Sequence, residues 1–404
     1  MDLRFSAAEQ AFREEVRSFV QASLPADIRD KVLAHQRVEK DDYVRWHRVL
    51  HAQGWGAPTW PKEWGGTGWN ALQRLIFEIE AFRAGAPRLL PFGLTMIGPV
   101  LMKYASQEHK ERFLPRIPTV EDFWCQGYSE PGSGSDLASL KTRAVRQGDR
   151  YIVNGQKTWT TMAHFADWIF CLVRTDTESK PQEGISMLLI DMKTPGVTVR
   201  PIVTLDGGHD VNEVWFEDVE VPVGNLLGEE NRGWTYAKYL LGHERTGIAG
   251  IGHCNRELRQ LKHYAAQATD GAGRPLIDDV RMRDKIARIE MDIMALEMLL
   301  LRVATQDAGR GPGPGPEASI VKIRGSEIQQ DLAMLQMEVA GPNAWPYSPR
   351  WLEAGEAPPA DAPLHAPAWA APAASTYFDM RKTSIYGGTT EVQKNIISKM
   401  ILGF

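Results

Sequence analysis

The chain has 404 residues, 43% hydrophobic and 24% charged, with a formal net charge of −5; that predicts two or three domains and gives no reason to expect nucleic acid or an anionic membrane as partner. Three scattered cysteines, Cys125, Cys171 and Cys254, suit neither a disulfide framework nor a metal site. Met1–Phe5 lacks the basic-then-apolar pattern of a signal peptide and no apolar run nears a membrane helix of about 18–20 residues, so the expectation is a cytoplasmic protein without membrane insertion.

Ser6-Ala7-Ala8-Glu9 reads as a capping box, followed by Phe12, Val16 and Phe19 at helical spacing. Helical texture returns at 71–84 and 96–104. The tryptophans at 55, 60, 64 and 69 suit the packing of this first domain. From Phe123 the pattern changes to short alternating runs at 151–153, 168–173, 186–190, 197–201 and 213–216, so 123–225 reads as a β region. Asn154-Gly155 has the chemistry of a hairpin turn. Helices resume after Asn231-Arg232-Gly233. Over 279–304, Ile286, Ile289, Ile293, Leu296, Leu300 and Val303 recur every three or four residues, a stripe wide enough for a bundle and for a subunit contact. Gly311 to Pro316 alternates glycine and proline and reads as a surface connection. Pro342 to Pro372 holds eight of the 25 prolines and reads as a long loop, either a cover for a site or a surface excursion.

The densest chemistry lies between Phe123 and Thr161. Ser129-Glu130-Pro131-Gly132-Ser133-Gly134-Ser135-Asp136 is a glycine-punctuated, hydroxyl-rich turn in which backbone N–H groups and side-chain oxygens can converge on a polar ligand. Trp159, flanked by Thr158, Thr160 and Thr161, offers a face for a flat heterocycle with hydrogen bonds at its rim. The pair of segments resembles the signature of the acyl-CoA dehydrogenase flavoproteins, and Ile385-Tyr386-Gly387-Gly388-Thr389-Thr390-Glu391-Val392-Gln393 resembles that family's second signature. Within the family, Gly207–Val214 and Gly242–Ala249 are most similar to the large subunit of pimeloyl-CoA dehydrogenases.

The resemblance implies an α+β, acyl-CoA dehydrogenase-like fold: an N-terminal helical domain over 1–122, a central β-barrel domain over 123–228 and a C-terminal four-helix bundle over 229–404. It implies FAD as cofactor and an acyl-CoA as substrate, oxidised to the trans-2-enoyl-CoA with loss of a Cα proton to a base and of a Cβ hydride to flavin N5. The usual base, a glutamate in the second signature, is replaced by Gly387. A minority of the family carries its base in a Glu-Arg context, and Glu244-Arg245 stands there, making Glu244 the candidate catalytic residue. Carried over position by position, Gln126, Ser129, Trp159 and Thr161 would hold the flavin ring, and Thr389 and Glu391 the adenosine-diphosphate portion. Ser135 and Arg245 would meet the CoA, and Gly387 would leave space for a base arriving from the other side.

Two departures stand out. Relatives usually carry Arg-x-x-Phe-Gly before Pro275, where this chain has Ala268-Thr269-Asp270-Gly271-Ala272-Gly273-Arg274. A Gln-x-x-Gly-Gly-x-Gly element is replaced by Met337-Glu338-Val339-Ala340-Gly341-Pro342-Asn343. Both normally complete a neighbour's FAD site, so the resemblance implies either a homotetramer with altered contacts or a heterotetramer with a smaller related subunit, passing electrons to an electron-transferring flavoprotein. The favoured acyl group is a dicarboxylyl one such as pimeloyl, with aromatic-acid or steroid side-chain thioesters as the alternatives. A catalytically silent partner subunit and an acyl-CoA oxidase are the alternative readings. His243-Glu244-Arg245-Thr246-Gly247 lacks the second histidine of a zinc motif, so no metal is expected.

Overall fold

The computed structural model describes residues 5–306, 315–346 and 367–404; the side chains of 242–246, 248 and 304–306 lie outside the described residues. Helix α1 (Ala7–Ser23) starts at Ser6, whose hydroxyl accepts the Glu9 N–H while the Glu9 carboxylate accepts the Ser6 N–H, as the capping box predicts. Helices α2 (Ala26–Leu33), α3 (Lys40–Ala52) and α4 (Ala71–Arg83) close a first core around Val16, Trp46, Leu50 and Trp55. Trp69 meets Phe12, Trp55 and Phe77 within it. Two shorter helices, α5 (Gly98–Tyr104) and α6 (Gln107–Phe113), follow a π-helical turn over Phe92–Ile97. Trp60 donates its indole N–H to the Leu94 carbonyl of that turn at 2.6 Å.

Seven strands then form one open, half-barrel sheet: β1 (Trp124–Gly127), β2 (Arg143–Gln147), β3 (Arg150–Thr161), β4 (Trp168–Arg174), β5 (Ile185–Asp191), β6 (Val197–Ile202) and β7 (Val211–Pro222). Their order is β1-β4-β2-β3-β7-β6, with β5 on β4. Successive side chains of a strand point to opposite faces, and β4 is apolar on both. Trp168, Phe170 and Leu172 join a core shared with the N-terminal helices and Leu240, while Ile169, Cys171 and Val173 join a core on the other side.

The hairpin turn differs from the expectation. Asn154-Gly155 lies inside β3, and the chain reverses between β2 and β3 at Gly148-Asp149, with Gly148 at φ +63°. Gly155 marks a register shift, and a Cβ there would lie 2.7 Å from the Thr142 backbone. Its glycine serves a close approach between strands rather than a turn.

Helices α7 (Gly233–Ile248), α8 (Ile251–Gln267), α9 (Val280–Gln306) and α10 (Glu317–Ala340) form the C-terminal bundle, followed by α11 (Ala373–Met380) and α12 (Thr390–Ile397). The Ile286–Val303 stripe faces inward, against Leu258, Leu261, Leu332 and Leu335. It is spent on this chain's own core. Met291 and Met294 lie 60% and 59% exposed elsewhere on α9, with Met334 of α10 half exposed, and these offer the apolar surface that the stripe does not. Residues 307–314 and 347–366, which carry most of the glycine–proline run and of the proline-rich stretch, lie outside the described residues. Among the described residues no helix is long and apolar enough to cross a membrane.

Candidate functional site

The hydroxyl-rich loop and β3 are fastened together at two points. The Thr158 N–H donates to the Ser129 carbonyl at 2.9 Å. Beside it, Lys157 Nζ donates to Glu130 Oε1 at 2.8 Å and to the Tyr128 carbonyl at 3.2 Å, and both charged side chains are buried. Glu130 also accepts the Lys141 and Thr142 N–H groups at 2.6 and 2.8 Å, so neither of its oxygens is left bare. Burial would raise this carboxyl, but the Lys157 charge and these hydrogen bonds outweigh it and hold Glu130 below the usual range.

One residue beyond Thr158 the strand breaks register. Trp159 takes a left-handed backbone at φ +58°, between the paired positions Lys157 and Thr160, and its ring is 60% exposed. A bulge of this kind re-aims a side chain out of the pleat. Thr161 follows, half buried. On β1 the Gln126 amide nitrogen is buried without a hydrogen-bond partner, a donor waiting for an acceptor.

From Thr161 the structure leads to the chain's C-terminal signature. The Met162 N–H donates to the Asp210 carbonyl at 2.7 Å, and the Asp210 carboxylate stands 4.0 Å from Lys382. Residues 380–384 are gripped by α10. Gln330 donates to the Met380 and Arg381 carbonyls and to the Thr383 and Ser384 hydroxyls, while Lys322 and Ser326 donate to the Thr383 carbonyl. Immediately beyond, Gly387 and Gly388 adopt left-handed φ of +64° and +85°, and Gln393 donates to the Gly387 carbonyl at 3.1 Å. Thr389 caps α12 by accepting the Val392 N–H, and Glu391 sits exposed in the first turn.

Glu244 and Arg245 fall near the C-terminal end of α7; the helix is described there, but both side chains lie outside the described residues. Ser135 is exposed at the tip of the hydroxyl-rich loop. Arg274, the one arginine in the altered stretch before Pro275, is turned back onto Asp270 at 2.9 Å. The Thr158–Ser129 hydrogen bond thus sets the loop beside the bulge that carries Trp159, and the Asp210–Lys382 contact ties the stretch before Gly387 to the end of β3.

The donor set suits the FAD that the resemblance implies. An unpartnered buried amide, an outward-turned indole, flanking hydroxyls and a capped helix start match a flat, acceptor-rich ring with a phosphate tail. The sequence reading passed over Lys157, Glu130, Gln330 and Lys382. Lys157 carried little signal, since Gln156 and Thr158 on either side of it are polar too. Gln330 carried none, because its partners at 380–384 are some fifty residues away in sequence, and Lys382 none towards Asp210 for the same reason.

Comparison with known proteins agrees along the whole chain. Residues 6–121, 125–219 and 231–402 match the family models of the acyl-CoA dehydrogenase N-terminal, middle and C-terminal domains. The chain is 36% identical to the acyl-CoA dehydrogenase FadE26 of Mycobacterium tuberculosis, over 84% of this chain and 86% of that one. It is 34% identical to the acyl-CoA dehydrogenase IpdE1 of Mycolicibacterium smegmatis, over 98% and 97%. Among solved structures, the ChsE4-ChsE5 complex from Mycobacterium tuberculosis aligns with a TM-score of 0.83 at 31% identity, covering 100% of this chain and 99% of that one. The Tcur3481-Tcur3483 steroid acyl-CoA dehydrogenase aligns with a TM-score of 0.84 at 30%, over 100% and 99%. From its capping box to its C-terminal signature, this chain belongs to the acyl-CoA dehydrogenase family.

Proposed function

We propose that this chain is an FAD-dependent acyl-CoA dehydrogenase in which Glu244 takes the Cα proton of the thioester. The observation that carries the reading is the replacement of the family's usual base by a left-handed glycine, Gly387, in a chain that keeps Glu-Arg on α7. FAD, when bound, supplies the acceptor for the Cβ hydride at N5. The protein's own part is positional. Trp159 would pack along the ring, with Gln126, Ser129 and Thr161 donating at its rim. Thr389 and Glu391 would lie at the adenosine-diphosphate end, and Ser135 and Arg245 along the CoA. Gly387 leaves no side chain where a second base would compete.

The acyl group on this reading is a dicarboxylyl one such as pimeloyl. The assembly is a tetramer, built of four copies or with a smaller related subunit, with an electron-transferring flavoprotein as electron acceptor. Two features support unlike pairing: Arg274 is engaged with Asp270, and two of the solved relatives are named as pairs. Light scattering on the chain alone, finding a stable, flavin-replete and active homotetramer, would exclude an obligate partner.

The decisive experiment is Glu244→Gln. Loss of a general base costs roughly 10²–10⁴-fold in rate, so anaerobic flavin bleaching by acyl-CoA should all but stop while flavin content and thioester binding persist. Bleaching at the wild-type rate would place the base elsewhere. Oxygen consumption by the wild type during turnover would mark an oxidase instead.

A further inference from the structure

Thr160 and Thr161 are bracketed by two left-handed residues, Trp159 and Met162, both at φ +58°. Neither is a glycine, so both backbones are strained, and such a stretch keeps its shape only where its surroundings hold it. Besides the strand pairing, two ties to the start of β7 do so. One is the Met162 N–H, which donates to the Asp210 carbonyl at 2.7 Å. The other is a side chain: Asn212 is 0% exposed and donates from Nδ2 to the Thr160 carbonyl at 3.0 Å.

Asn212 fixes more than that carbonyl. Its amide nitrogen also meets Nδ1 of His164 at 3.1 Å, and its oxygen meets Nε2 of His209 at 2.7 Å. An amide has two donors at nitrogen and an acceptor at oxygen. With the nitrogen turned to Thr160, His164 keeps a bare Nδ1 and His209 carries a proton on Nε2. A backbone carbonyl thus sets the tautomers of two imidazoles whose rings lie 4.3 Å apart at 30°.

The two rings respond differently to a second proton. On His209 it goes to Nδ1 and leaves the bond to Asn212 in place. On His164 it goes to the nitrogen at which the Asn212 N–H already points. Leaving the amide as it is sets donor against donor. Turning it over satisfies His164 but sets the Asn212 oxygen against the Thr160 carbonyl, so a hydrogen bond to Asn212 favours the proton only in that turned-over form. His164 is exposed on its outer side, where protons reach it. Burial of the rest of the ring and the facing His209 hold it below the usual histidine range; Arg37, between α2 and α3, acts in the same direction and Asp210 opposes. Lys193 lines the same recess, 3.7 Å from Asp167, and Lys382 stands against Asp210.

We infer that Asn212 is a positioning residue, holding the Thr160 carbonyl and with it the outward turn of Trp159, and that acid releases this hold through His164. The inference rests on the proposed function for the flavin at Trp159, and on the bonds above for the clamp itself.

The test follows two signals against pH in the wild type, His164→Gln, His209→Gln and Asn212→Asp. One is the FAD Kd by equilibrium dialysis. The other is Trp159 fluorescence in the flavin-free protein, taken as the difference from the same protein carrying Trp159→Phe. In the wild type Kd should rise at least about threefold from about pH 7.5 to about pH 5, as the clamped form thins out, and the Trp159 signal should step over the same range. His209→Gln should keep both responses, since its amide can donate to Asn212 as Nε2 does. His164→Gln should flatten both. Asn212→Asp lacks the donors and should bind FAD about fivefold or more weaker at neutral pH; should it fail to fold, the contrast between the two histidine variants still decides. A response of full size in His164→Gln, one lost equally in His209→Gln, or a flat wild type would overturn the inference. If FAD does not bind while the Trp159 step follows this pattern, the dehydrogenase reading falls and the clamp stands. If FAD binds without the pattern, the clamp falls alone.

Discussion

Lys157 and Glu130 meet at 2.8 Å with almost no solvent on either side chain, and the contact joins the first signature loop to the strand that carries Trp159. Removing one member of a buried pair strands the other, at about 3–5 kcal/mol. Lys157→Met should therefore lower stability to denaturant by that order and reduce retained flavin. A Lys157→Met/Glu130→Leu double variant should recover part of the loss. The pH dependence has a fixed sign. A carboxyl held down in the fold contributes stability above its unfolded range, lost as pH falls through the depressed folded value. A Lys157→Met protein with wild-type urea midpoint would show the pair to be incidental.

Trp159 separates binding from folding. Its ring is mostly exposed and its backbone left-handed, so Trp159→Ala should leave the flavin-free protein's melting temperature nearly unchanged. Loss of stacking is worth about 1–2 kcal/mol, roughly tenfold in flavin affinity. Trp159→Phe should retain most of it. Equilibrium dialysis against FAD measures this, and an unchanged affinity in Trp159→Ala would remove the indole from the site.

Gly387 tests the alternative location of the base. At φ +64° any side chain is strained, by about 1–2 kcal/mol, and the carbonyl is already held by Gln393. Gly387→Glu in the Glu244→Gln background should restore flavin reduction only partly. Full recovery in stopped-flow traces would mean that the segment yields more easily than its hydrogen bonds imply.

His47 should govern acid sensitivity in the N-terminal helices. It is fully buried, accepts the Leu90 N–H at 3.2 Å through Nε2, and is pushed down by burial to about 4. A histidine kept neutral in the fold contributes stability that is complete above its unfolded value near 6.5 and declines as pH falls towards 4. That decline amounts to up to about 3 kcal/mol. His47→Gln should flatten the stability curve between those limits in urea melts taken at several pH values. An equally steep curve in the variant would assign the sensitivity to other groups.

Much of this architecture is legible in the amino-acid sequence. The capping box at Ser6, the helical stripe of α9 and the short strand runs of β3 to β7 all follow from local pattern, although β4 and β5 are buried on both faces rather than alternating. β1 and β2 were missed, being four and five residues long with little alternation. Asn154-Gly155 misled because turn chemistry and a tight strand crossing ask for the same glycine; only the approach of Thr142 tells them apart. The α9 stripe was read correctly as apolar, but which neighbour it faces is a tertiary fact. At the site, Trp159 and the glycine pair announced themselves by type and spacing.

Because β4 and β5 are apolar on both faces, the sheet has no side that is its own outside. Trp168, Phe170, Leu172, Ile185, Met187 and Leu189 are covered by helices that come before and after the sheet in the chain. Excised as a fragment, 123–228 would present that row as a bare patch and should aggregate when expressed alone. The stretch that carries Trp159 is thus not a portable module, and any graft of it must bring both helical flanks along.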